Sequence, residues 1–156
     1  MKKTIELNEM ILSCPEGFRE MDETELEGLK FNGTPGLCLT WPERHIILTA
    51  GERQINFFSA AVLNLKDITK ATENDLHRLM KEYGYRLGEI SFRKIGEIEA
   101  GEIPYTYTAQ DIGMYGCTYV FKRKKTLCYL HWYTREALKE KNRDVLEEIL
   151  SSIRWN

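Results

Sequence analysis

Cysteine and histidine are the side chains best able to do nucleophilic or metal chemistry, and this sequence holds Cys14, Cys38, Cys117 and Cys128 with His45, His77 and His131. A cysteine nucleophile needs an imidazole within hydrogen-bond reach. A hairpin turn centred on Arg123-Lys124 pairs Phe121 with Thr126, Tyr119 with Cys128, Cys117 with Leu130 and Tyr115 with Trp132, all on one strand face. His131 then falls opposite Gly116 on the other face, out of reach of both thiols, and the cysteines read as small buried hydrophobes. The chain has no C-x-x-C pair, H-E-x-x-H motif or Cys/His cluster, and no G-x-x-x-x-G-K-[ST] or G-x-G-x-x-G loop. Neither a metal nor a cofactor is expected.

Three other groups could carry function. Glu97, Glu99, Glu102 and Asp111 gather around two turns, where paired carboxylates could act as general acid and base; alternating charge beside a Gly turn is also how a solvated strand end reads. Lys122, Arg123, Lys124 and Lys125 make a basic hairpin that could touch phosphate or simply guard a strand end against edge pairing. Tyr105, Tyr107, Tyr129, His131 and Tyr133 fall on hairpin strands beside Tyr115, Tyr119 and Trp132. Tyrosine joins an apolar body to a hydroxyl that wants a wet or bonded end, so these five residues are the expected binding surface, a partly exposed patch. Packing beneath helices is the other reading of the same residues.

The elements that must position these groups alternate between short strands and three helices. Ile5 to Leu7 and Met10 to Cys14 read as extended, followed by a Pro15-Glu16-Gly17-Phe18 turn. Asp22 with Glu25 forms a capping box for a first helix, with Met21 stapled to Leu26, ended by Gly28 and the Asn32-Gly33-Thr34-Pro35-Gly36 cluster. Leu37 to Trp41 and His45 to Ala50 make a hairpin about Pro42-Glu43-Arg44, and the apolar run Ile55 to Leu65 reads as a central third strand. Thr72 with Asp75 caps a second helix that Gly84 stops. Leu87 to Ile98, Gly101 to Ala109, Met114 to Lys122 and Thr126 to Thr134 form a meander with turns at Glu99-Ala100-Gly101, Gln110 to Gly113 and Arg123-Lys124. A last helix lays Leu138, Val145, Leu146, Ile149, Leu150 and Ile153 on the sheet.

Because Thr118, Val120, Leu127, Tyr129, His131 and Tyr133 are as apolar as the opposite face, both sides of the sheet want cover. The three helices supply it in an α+β fold, a three-layer α/β/α sandwich around a mostly antiparallel sheet. The 156 residues, 42% hydrophobic with 11 Gly and 4 Pro, suffice for one domain over 1–156 with its own core. With 22 basic and 24 acidic residues the net charge is -2, so no overall field holds a nucleic acid or an anionic membrane, and such contact would have to be local. The first residues break a signal-peptide pattern with Glu6, Asn8 and Glu9, and no apolar run approaches the ~20 residues of a bilayer span. A cytoplasmic protein is expected.

Pro15-Glu16-Gly17-Phe18 after the first strand pair, Ile149-Leu150-Ser151-Ser152-Ile153-Arg154 at the end of the last helix, and the order of elements resemble the Mog1/PsbP-like fold, in its bacterial DcrB and DUF1795 branch. The resemblance spans nearly the whole chain. It implies non-catalytic work on partner proteins and carries no catalytic residue over. The reading is therefore a non-catalytic binding or adaptor module whose partner is another protein, with neither membrane nor nucleic acid as partner and nothing specifying an oligomeric state. The alternative is a small-ligand pocket or a weak hydrolase using Glu97, Glu99 or Asp111.

Overall fold

The computed structural model describes residues 2–27 and 36–156. A hairpin opens the chain, β1 (Lys3–Glu6) against β2 (Met10–Cys14), and the last strand, β11 (Arg154–Trp155), adds to the other side of β2. The second sheet has eight strands. They are β3 (Arg19–Glu20), β4 (Leu37–Trp41), β5 (Ile46–Gln54), β6 (Arg86–Leu87), β7 (Ser91–Ile95), β8 (Ile98–Ala109), β9 (Ile112–Arg123) and β10 (Thr126–Arg135). Their order is β3-β4-β5-β10-β9-β8-β6, every pair is antiparallel, and β7 pairs with the other end of β8.

Among the described residues four helices complete the fold: α1 (Glu23–Glu27), α2 (Phe57–Val62), α3 (Leu65–Met80) and α4 (Arg143–Ser152). The capping box forms as expected, Glu25 N–H donating to Asp22 Oδ1 and Asp22 N–H to Glu25 Oε1, both at 2.9 Å. The described residues of α1 bury none of their side chains. Its predicted terminator, Gly28 with residues 32–35, lies outside the described residues.

The large sheet is covered on both faces. On one face α4 and the small sheet enclose a core containing Leu12, Leu48, Tyr119, Phe121, Leu130, Trp132 and Ile149. On the other, α3 closes over Ile103, Tyr105, Tyr107, Val120, Leu127 and Tyr133. The antiparallel sandwich is the expected one, with a β-ribbon helping α4 to cover one face.

Both short signatures have a packing reason. A Cβ on Gly17 would sit 1.9 Å from Trp41 Cε2, so only glycine lets this turn pass under the indole, against which Phe18 packs edge-on at 5.4 Å. Ser152 accepts from Ser13 N–H at 2.8 Å and ties the end of α4 to β2, while Ile149, Leu150 and Ile153 are buried on either side of it.

Ile55 to Leu65 is not a strand. Asn56 accepts from Ser59 N–H at 2.7 Å and Asn64 from Asp67 N–H at 2.8 Å, so two Asn caps break the apolar run into α2 and the start of α3. The strand that precedes this run is β5, which continues to Gln54 and is paired on both sides, by β4 and β10. Thr72 is correspondingly inside α3, its hydroxyl donating to Ile68 O at 2.8 Å. Gly84 does stop the element, in the left-handed region at φ 71.

The late turns shift by small steps. Gly96 and Glu97 (φ 61 and 72) turn β7 into β8 in place of Glu99 to Gly101, and Gln110 and Asp111 (φ 51 and 65) turn β8 into β9. The last hairpin turns on Lys124-Lys125, with Arg123 opposite Thr126, so Cys128 pairs with Phe121, Trp132 with Cys117 and His131 with Thr118. This register is two residues from the expected one, and an even slip leaves every side chain on its predicted face.

Candidate functional site

The predicted groups separate in space. Glu97 and Glu99 sit at the start of β8 and Asp111 just beyond its end, so a twelve-residue strand holds them roughly 35 Å apart. All three are exposed, and they form no acid–base pair. The basic hairpin is partly structural. Lys122 Nζ donates to Ala60 O and Leu63 O at 2.6 and 2.5 Å, capping the end of α2, and Arg123 binds Asn156 O and pairs with Glu9 at 3.5 Å. Lys124 and Lys125 remain exposed.

The expected aromatic surface is core. Tyr105 and Tyr133 are each 1% exposed and Tyr107 5%, because α3 lies over them; Tyr129 and His131 are half-buried. The hydroxyls are bonded inward: Tyr105 Oη lies 3.0 Å from Thr118 Oγ1, which lies 2.8 Å from His131 Nδ1. His131 stacks between Tyr129 and Tyr133 at 6.4 and 6.2 Å and faces away from Cys117 and Cys128, which lie in the α4-side core.

Burial lowers the imidazole pKa from 6.5 to about 4. The native state therefore binds fewer protons than the unfolded chain between those values, so stability is complete above pH 6.5 and is lost as pH falls toward 4. The expected loss is about 2 kcal/mol by pH 5, before most carboxylates protonate. Denaturant titrations at pH 7.5 and pH 5 check it: His131→Gln should flatten the difference, and an unchanged slope would assign it elsewhere.

A different constellation forms where α4 meets the sheet, a cleft of about 300 Å³ open to solvent on one side. Its floor is Tyr115, Cys117 and Tyr119 of β9 with Trp132 of β10. Arg93 of β7 enters from the sheet edge. Its guanidinium lies 5.9 Å from the Tyr119 ring centre, donates to both Glu147 carboxylate oxygens at 3.3 Å and stands 3.7 Å from Glu102. That 3.7 Å ion pair is made by the buried Arg93 Nε, which has no shorter hydrogen bond. Lys139, in the turn before α4, holds its ammonium 4.6 Å from the Tyr115 ring centre, and Arg143 opens α4 beside it, paired to Glu140 at 3.0 Å. The lining thus carries three cations against two carboxylates, Glu102 and Glu147.

Burial pushes the Cys117 thiol up to about 12, and the Glu102 carboxylate reinforces the shift. Burial likewise raises the Tyr115 and Tyr119 hydroxyls well above their ordinary value. At neutral pH the floor offers neutral donors, not nucleophiles. Among the described residues no three His, Cys, Asp or Glu side chains converge as a metal site would require.

Over the whole chain the architecture matches solved structures. Cyanobacterial PsbP (CyanoP) from Synechocystis sp. PCC 6803 superposes with a TM-score of 0.70 at 13% identity, covering 100% of this chain and 92% of that one. LpqN of Mycobacterium tuberculosis, described as involved in cell envelope biogenesis, superposes at 0.68 and 9% identity, covering 100% and 91%. The chain has the Mog1/PsbP-like fold. A Pseudomonas aeruginosa protein described as a putative regulator is similar at a TM-score of 0.55, with 9% identity over 97% of this chain and 94% of its own. No family model matches the chain, and no curated protein matches it. Identities this low carry the Mog1/PsbP-like architecture and no residue roles.

Sequence reasoning missed Arg93, Lys139 and Arg143. Arg93 shares a face of β7 with Ser91 and Ile95, and Lys139 and Arg143 are four residues apart, so both regularities were readable; their convergence depends on how α4 crosses the sheet.

Proposed function

We propose that this chain is a non-catalytic binding module that takes a small ligand bearing an anionic group into the cleft between the sheet and α4. The observation that carries the reading is the convergence of Arg93, Lys139 and Arg143 over an aromatic floor. An incoming carboxylate or phosphate could accept from the mouth cations Lys139 and Arg143, while the half-buried Tyr115 meets an apolar body. Binding and not catalysis fits a thiol held protonated by its surroundings.

Adaptor work through Tyr129 and Tyr133 fares worse, because α3 occupies the surface it needs. Among the described residues no helix is long and apolar enough to cross a membrane. A cytoplasmic location and the bacterial DcrB branch are part of the proposed reading. Titration of labelled protein with inorganic phosphate, succinate and glutamate, followed by amide NMR, tests the cleft. Shifts should cluster on β9 and the start of α4, and Lys139→Gln with Arg143→Gln should weaken binding at least about 10-fold. Shifts elsewhere, or affinity that survives both substitutions, would refute the assignment.

A further inference from the structure

Helix α2 presents its apolar side to water. Phe57 and Phe58 are 76% and 74% exposed, Val62 is 57% exposed, and Ala61 is exposed beside them. Positions 57, 58, 61 and 62 share one helix face, so these side chains make a continuous projecting wedge. The wedge is fixed in place. Ile55 N–H donates to Lys125 O at 2.8 Å, Lys122 binds the carbonyls at the end of α2, and Lys125 Nζ lies 5.9 Å from the Phe57 ring centre.

The charge around it is predominantly basic. Segments 53–66 and 122–126, which meet at this end of the sheet, hold Arg53, Lys66, Lys122, Arg123, Lys124 and Lys125; Glu52 and Asp67 border the first segment, Glu52 engaged by the backbone N–H groups of Asn8 and Glu9 at 2.9 and 2.8 Å and Asp67 exposed beside Lys66. Lys122 and Arg123 are engaged in internal contacts, whereas Arg53, Lys66, Lys124 and Lys125 are exposed. Projecting phenylalanines ringed by exposed cations match the two layers of an anionic bilayer surface, acyl chains below and phosphates above.

We propose that α2 and the β9–β10 hairpin tip form a peripheral docking surface for an anionic lipid bilayer. The contact is interfacial and spans nothing. Phe57, Phe58 and Val62 enter the headgroup boundary, and the exposed cations lie on lipid phosphate and carboxylate groups. The site shares no residue with the cleft under α4, so either can fail alone.

Cosedimentation of the full chain with vesicles decides it, using phosphatidylcholine alone and phosphatidylcholine mixed with phosphatidylserine. The protein should bind the mixed vesicles at least about 10-fold more tightly, and added salt should weaken that binding. Phe57→Ser with Phe58→Ser should reduce it at least about 10-fold, and Lys124→Gln with Lys125→Gln roughly 20-fold, with the thermal midpoint unchanged because all four side chains are exposed. No binding to the mixed vesicles, or binding indifferent to the Phe substitutions, overturns the proposal. So does finding that Phe57 and Phe58 instead serve a concentration-dependent dimer or a single-stranded oligonucleotide.

Discussion

Trp132→Ala should destabilise the protein by about 4 kcal/mol, and for a chain of this length lower the thermal midpoint by roughly 8–16 °C. Trp132 is 1% exposed at the centre of the α4-side core. Its flanking positions belong to paired strands, Cys117 on β9 and Leu48 on β5, so the backbone on either side cannot close in. The lost transfer free energy therefore adds to an uncollapsed cavity. Urea unfolding measures the change directly. Phe57→Ser removes another large ring from a 76% exposed position and should cost close to nothing in the same assay. A loss below about 1.5 kcal/mol for Trp132→Ala would mean that α4 settles onto the sheet more freely than its packing implies.

The sheet was legible because its period is two. Val120, Leu127 and Tyr133 opposite Tyr119, Cys128 and Trp132 declare two apolar faces, and that parity survived a hairpin turn displaced by one residue on each strand. What failed were readings in which composition stood in for a local hydrogen bond. Ile55 to Leu65 is apolar enough for a buried strand, yet Asn56 and Asn64 offer caps that turn the backbone helical, and the exposed Phe57 and Phe58 show that hydrophobicity alone does not fix burial. Nothing local announced that β2, with β1 and β11, would help cover a sheet face.

The aromatic cluster shows the same limit. A Tyr hydroxyl that needs a partner looks identical in sequence whether the partner is water or a buried Thr. Only the register that puts His131 opposite Thr118, with Tyr105 across β9, reveals a closed internal relay. Glu102, grouped by proximity with Glu97 and Glu99, instead faces Arg93, because alternation along β8 and the crossing of α4 decide its company.

That relay makes Gly116→Ala the second large expected effect, a loss of about 3 kcal/mol. Gly116 lies on β9 directly opposite Tyr105 on one side and Tyr133 on the other. An added Cβ would stand 2.4 Å from Tyr105 Cε2 and 2.7 Å from Cζ, well inside contact distance. The ring cannot swing away cheaply. Tyr85 and Tyr107 pack against it at 5.3 and 6.2 Å, and its hydroxyl is bonded to Thr118. Glycine to alanine at an open strand position would ordinarily stabilise by up to about 1 kcal/mol through the unfolded chain, so the sign itself reports the clash. Truncating the obstacle, Tyr105→Val, should be destabilising alone but should absorb most of the Gly116→Ala penalty when the two are combined, a coupling that a double-mutant cycle reads from urea midpoints. Because Thr118 hands the same bond on to His131, Gly116→Ala should also change the acid sensitivity assigned to that imidazole. Additive losses in the cycle would mean that the ring is not pinned and that the relay is looser than its distances indicate.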